Sequence, residues 1–104
     1  MKLLKFTSLL LVFLSLSFTG FGASFYFSIS LSEGMSGPDV TQLQKFLASQ
    51  PTSQWPSGQS ATGFFGPVTK SALARYQGSA GISPAAGYFG PVTRKYINSL
   101  SGFD

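Results

Sequence analysis

An eight-residue string occurs twice in this chain. Gly63-Phe64-Phe65-Gly66-Pro67-Val68-Thr69-Lys70 returns at position 87 as Gly87-Tyr88-Phe89-Gly90-Pro91-Val92-Thr93-Arg94, an offset of 24 residues. Six of the eight positions are identical, and the other two exchange Phe for Tyr and Lys for Arg. A period in the twenties marks one supersecondary unit used twice. The first glycine permits a turn. The second permits a change of direction, and the following proline suits a first helical turn, where a missing N–H costs little. Behind each proline the apolar spacing is helical. Val68, Ala72, Leu73 and Tyr76 form one stripe, and Val92, Tyr96, Ile97 and Leu100 form its counterpart. Gly78 is the expected stop of the first helix and Gly102 of the second.

A third helix is expected upstream. Ser36-Gly37-Pro38-Asp39 resembles a capped start, with Ser36 as N-cap and an acidic residue three positions on. Asp39 faces the positive end of the helix dipole. Val40, Leu43, Phe46 and Leu47 supply the apolar face. Residues 49–62, rich in Ser, Gln, Pro and Gly, read as a loop that carries Trp55. The expected fold class is all-α: a small three-helix bundle with Gly-rich turns and helices near 40–48, 67–77 and 91–100.

An N-terminal apolar signal or anchor helix is expected to precede the bundle. Lys2 and Lys5 lead into a run from Phe6 to Ser32 without a charged residue. A short basic start followed by an apolar stretch is how an export signal reads. Two outcomes stand for it. With an apolar segment from about Leu3 to Phe18, the small residues Gly20, Gly22, Ala23 and Ser24 suit cleavage. Alternatively, residues 3–24 stay as a membrane anchor, since a membrane helix needs only ~20 apolar residues. Both place the rest of the chain outside the cytoplasm, secreted or associated with the cell envelope. The division is then 1–24 signal peptide or anchor, 25–32 linker, and 33–104 folded domain. Within 25–32, Phe27 to Ser32 alternates apolar with small polar residues, as a strand or extended linker does.

Together these residues resemble the peptidoglycan-binding-like domain, a three-helix cell-wall-binding module often appended to wall hydrolases. The resemblance rests on Leu31, Gly34, Gly37, Asp39-Val40, Leu43-Gln44 and Leu47 in the first part. It continues through Gly63, Phe65-Gly66, Thr69, Ala72-Leu73 and Tyr76-Gln77, then Gly87, Phe89-Gly90 and Thr93. The sequence departs from the family pattern at Thr62 and Ala86, where an Asp often stands, and at Tyr76, usually Phe. The resemblance implies non-catalytic binding of peptidoglycan, through its glycan or its stem peptide, by a stand-alone wall-binding protein or by one acting in trans with a wall hydrolase. The alternative is an envelope protein–protein interaction module that reuses the same fold.

Such a ligand offers sugar faces, amides and carboxylates, so a receptor needs exposed aromatics, amide side chains and a cation. The candidates are Trp55, Phe64, Tyr88, Gln44, Gln77, Arg75 and Arg94. Trp55 reads as a contact or as a cap on the core edge. One of each adjacent aromatic pair is expected to be buried, and the resemblance implies Phe65 and Phe89 in the core, leaving Phe64 and Tyr88 outside. Gln44 and Gln77 read first as buried amides bonding turn backbone, and otherwise as ligand contacts.

Catalytic chemistry has little to draw on. The chain has no histidine and no cysteine, and its carboxylates are Glu33, Asp39 and Asp104. That removes the usual general base and the soft metal ligands. Lys70 and Ser71 are adjacent on a helix, so their side chains diverge. No enzyme activity, cofactor or metal is expected. The net charge of +4 falls to +2 without Lys2 and Lys5, too little for a nucleic-acid-binding stripe. Contact with a membrane is expected only through the N-terminal segment.

Overall fold

The computed structural model describes residues 25–102. The expected leader, residues 1–24, lies outside them. Among the described residues are three α-helices: α1 (Pro38–Ala48), α2 (Pro67–Ala80) and α3 (Pro91–Leu100). A single 3-10 turn, Pro51–Ser53, lies in the loop after α1. No helix among these residues is long and apolar enough to cross a membrane.

All three helices begin in the same way, on proline with glycine at the N-cap: Gly37, Gly66 and Gly90. Proline has the φ a first turn requires and no N–H to leave unpaired. The cap expected at Ser36 does not form. Gly37 takes that place with no side-chain cap, and Ser36 instead forms an isolated antiparallel bridge with Phe64. Asp39 does lie in the first turn of α1, where the helix dipole favours it.

Helix α2 runs past the expected stop at Gly78. It ends at Gly81, whose φ of 76° is left-handed. There the Gly81 N–H bonds to the Gly78 carbonyl and the Ile82 N–H to the Gln77 carbonyl. This is a Schellman ending, and Ile82 buries its side chain behind it. Gly78 lacks the left-handed conformation that would make it a terminator, and mid-helix glycine costs only ~1 kcal/mol.

The core joins α1 through Val40, Leu43, Phe46 and Leu47 to α2 through Leu73 and Tyr76, with Phe65 and Phe89 inserted from the two turns. Phe46 meets Tyr76 edge-on at 5.1 Å. The buried face is rotated from the expected stripe. Thr69 and Thr93 point inward, while Val68, Val92, Tyr96 and Leu100 are exposed. The period of α2 and α3 is helical as expected, but the phase of each is set by polar partners.

Residues 25–32, read as a linker, are packed against this core. Phe27 and Leu31 are buried, and Phe27 meets Phe89 edge-on at 4.9 Å. Leu31 pairs with Phe89 through two backbone hydrogen bonds of 2.9 Å. Asn98 of α3 accepts from the Phe27 N–H and donates to the Phe27 carbonyl, each at 2.9 Å. The segment is a strap that closes the bundle across the second turn.

Candidate functional site

Each repeat unit is organised around one buried glutamine from the preceding helix. Gln44 of α1 accepts from the Gly63 N–H at 2.8 Å and donates to the Phe64 carbonyl at 2.8 Å and to Thr69 Oγ1 at 3.0 Å. Gln77 of α2 treats the second turn alike, at 2.9 Å from the Gly87 N–H, 2.8 Å from the Tyr88 carbonyl and 3.0 Å from Thr93 Oγ1. Gly63 and Gly87 have φ of 85° and 82°, a conformation in which a side chain is strained. One amide thus satisfies the turn groups that the Ser36–Phe64 and Leu31–Phe89 bridges leave unpaired. Gln44 and Gln77, both site candidates, have their amides committed to turn backbone and to a threonine hydroxyl.

This bracket sets which aromatic faces out. In an extended segment neighbouring side chains point to opposite sides. Phe65 and Phe89 go fully into the core, while Phe64 and Tyr88 remain 50% and 52% exposed. A Cβ placed on Gly66 would stand 3.2 Å from Phe64 Cε2, and one on Gly90 would stand 2.5 Å from Tyr88 Cε2. Each ring therefore lies across the glycine that caps its helix, and the second glycine of the motif is what leaves it room.

Two cavities flank these rings. The first, of about 170 Å³, is lined by Phe64, Pro67 and Val68 of the repeat and by Trp55, Gln59 and Thr62 of the preceding loop. Gln44 and Thr69 also line it. The second, also about 170 Å³, lies between Tyr88, Pro91 and Val92 and the segment Ile82-Ser83-Pro84, which has a cis Ser83–Pro84 peptide.

The loop wall of the first cavity is fastened from behind. Trp55 packs against the core, and its Nε1 donates to the Gln59 carbonyl at 2.8 Å. Buried Ser53 accepts from the Trp55 N–H through Oγ and donates to the Leu47 carbonyl. Arg75 of α2 donates from Nε to the Ser53 carbonyl at 2.8 Å and from Nη2 to the Gln54 carbonyl at 3.4 Å. Arg75, a candidate for carboxylate binding, thus holds the Trp55 loop. Arg94 is half-buried, and its Nε has no hydrogen-bond partner among the described residues. Lys70, its repeat counterpart, makes an exposed ion pair with Glu33 at 3.4 Å, worth little in water.

The structure therefore brings Trp55, Phe64 and Gln44 to one cavity and Tyr88 to the other. Gln77 braces the turn that carries Tyr88, and Arg75 backs the Trp55 loop. Sequence reasoning missed the two valines, assigned to the core, and the walls formed by Gln59, Ile82 and Pro84. The valines were within reach, since Val68 and Val92 follow the outer aromatics by four residues.

Comparison with known proteins places these features in context. A family model described as "Putative peptidoglycan binding domain" matches residues 36–97. The crystal structure of the SleB N-terminal domain is similar over 74% of this chain and 99% of that one, with a TM-score of 0.60 and 27% sequence identity. No curated protein matches the chain significantly in sequence.

Proposed function

The chain belongs to the peptidoglycan-binding domain family, and from that premise we propose that it holds cell-wall peptidoglycan without cutting it. The observation that carries the reading to these residues is the exposed outer aromatic of each repeat beside a cavity. Exposed aromatic rings offer flat apolar faces, which suits the C–H faces of sugars. Trp55 and Phe64 face one such cavity together. Gln59 and Thr62 place hydrogen-bonding groups beside them.

In this reading residues 1–24 act as a signal peptide or anchor, and residues 33–104 are the wall-binding domain, with 25–32 strapped onto it. The protein works outside the cytoplasm, secreted or held at the envelope, and a wall hydrolase acting in trans is the fitting partner. The non-catalytic reading is supported by the chemistry of the chain, which has no histidine or cysteine. Neither cavity is lined by a carboxylate, so no acid–base pair faces a bound glycan.

Sedimentation with purified insoluble sacculi tests the proposal. Protein purified from the envelope in mild detergent should pellet with the sacculi at low salt and release no soluble fragments. Protein that stays in the supernatant would overturn the binding reading, and release of soluble fragments the non-catalytic one.

A further inference from the structure

The two cavities are images of each other in sequence. Phe64, Gly66, Pro67, Val68 and Thr69 line the first. Tyr88, Gly90, Pro91, Val92 and Thr93 line the second. Each position in one set lies 24 residues from its mate. The shared parts act alike: an outer aromatic lying over the capping glycine, an exposed valine four residues on, and an inward threonine bonded to the bracketing glutamine. The rest of the lining differs, being Gln44, Trp55, Gln59 and Thr62 in one case and Ile82, Ser83 and Pro84 in the other.

Size and lining narrow the occupant. About 170 Å³ is below the ~300 Å³ at which pockets for drug-sized ligands begin. Both recesses are open to solvent, so each seats one face of a ligand rather than enclosing it. Both are walled by aromatic and aliphatic side chains, with hydroxyl or amide groups at the side and no carboxylate, lysine or arginine. That lining suits neutral groups bearing C–H faces and methyls. A glycan strand of N-acetylated hexosamines presents such a face and an acetamido methyl on every unit.

We propose that the domain is bivalent: the Trp55–Phe64 cavity and the Ile82–Tyr88 cavity each take the acetamido-bearing face of one N-acetylhexosamine of the wall glycan. This rests on the peptidoglycan reading and specifies it. Each site alone binds weakly. Engaging both on one polymer makes the second contact intramolecular, and the combined affinity exceeds that of either site by ~10²–10⁴-fold. Free monosaccharide therefore saturates only at high concentration, whereas sacculi retain the protein firmly.

The test is an NMR titration of the full chain in detergent with N-acetylglucosamine, alongside sedimentation with sacculi. Two groups of resonances should shift: the Trp55 indole with Phe64, and Gly90 with Tyr88. Phe64→Ala should silence the first group alone and Tyr88→Ala the second alone. Each should weaken retention on sacculi by at least ~10-fold, and the double variant should abolish it. Val68→Gln and Val92→Gln, at exposed wall positions, repeat the test without removing a ring if an alanine variant misfolds. Shifts confined to one group would overturn bivalency. A response to stem peptide and none to the sugar would overturn the assignment of the occupant. In both cases retention on sacculi would still uphold the peptidoglycan reading, which falls only if sacculi are not bound.

Discussion

Gln77 and Tyr88 are joined by a 2.8 Å hydrogen bond from the buried side-chain amide of the first to the backbone carbonyl of the second. The same bond, at the same length, joins Gln44 to Phe64. In each repeat a helix thus fixes the backbone of the residue whose ring is displayed to solvent. Display of the ring and stability of the turn are the same structural event.

Removing this amide should therefore be costly. Gln77→Leu leaves the Gly87 N–H, the Tyr88 carbonyl and the Thr93 hydroxyl short of a partner in the interior. Unsatisfied buried groups cost about 1–3 kcal/mol each, though relaxation to water recovers part of this. Urea denaturation should show a loss of about 2–4 kcal/mol relative to the parent. A loss under about 1 kcal/mol would mean that the turn does not depend on the bracket.

The two glycines of the second motif should respond differently to alanine. At Gly87 a Cβ would stand 2.6 Å from the Lys70 carbonyl oxygen, and φ is 82°. Backbone cannot swing aside, so Gly87→Ala should cost more than about 3 kcal/mol, combining left-handed strain of ~1–2 kcal/mol with the clash. At Gly90 the obstacle is the Tyr88 ring, which can rotate outward. Gly90→Ala should keep most of the stability while weakening retention on sacculi. Equal melting temperatures for the two variants would contradict this.

The strap depends on Asn98. Asn98→Ala removes both of its hydrogen bonds to Phe27 and should destabilise the fold by about 1–3 kcal/mol. Hydrogen exchange at the Phe27 and Leu31 amides should accelerate well before that in α1, because local opening draws on the least supported segments. Uniform acceleration across the domain would show instead that the strap opens only with global unfolding.

Alkaline stability should report on Tyr76. Its hydroxyl is pushed up from 10.0 to about 12, by burial first and by the neighbouring Tyr96 second. The folded state therefore keeps its proton at a pH where the unfolded chain has lost it. This contribution to stability is complete below pH 10 and is lost as pH rises through about 12. Denaturation midpoints measured from pH 9 to 12 should fall over that window, and more steeply than in Tyr76→Phe, which retains the ring but has no proton to lose. Identical slopes would remove Tyr76 as the cause.

The sequence by itself determined the repeat, the helical period of three segments, the proline starts at Pro67 and Pro91, and that the two rings of each adjacent aromatic pair part. These are local matters. Pro67 and Gly66 act within one turn of helix, and neighbouring side chains in an extended pair must diverge. The absence of histidine and cysteine was equally plain. Tertiary structure decided what depends on partners distant in the chain. Asn98 meets Phe27 71 positions away, and nothing near either residue announces it, so residues 25–32 read as a linker. Arg75 had the composition of a ligand contact, yet it holds the Ser53 carbonyl. Val68 and Val92 had helical spacing fit for a core, but the glutamine brackets turn Thr69 and Thr93 inward and leave the valines outside. Spacing specifies a period, whereas the phase of a helix is set by what its neighbours can satisfy. That phase places the exposed valines beside the outer aromatics and so shapes both cavities.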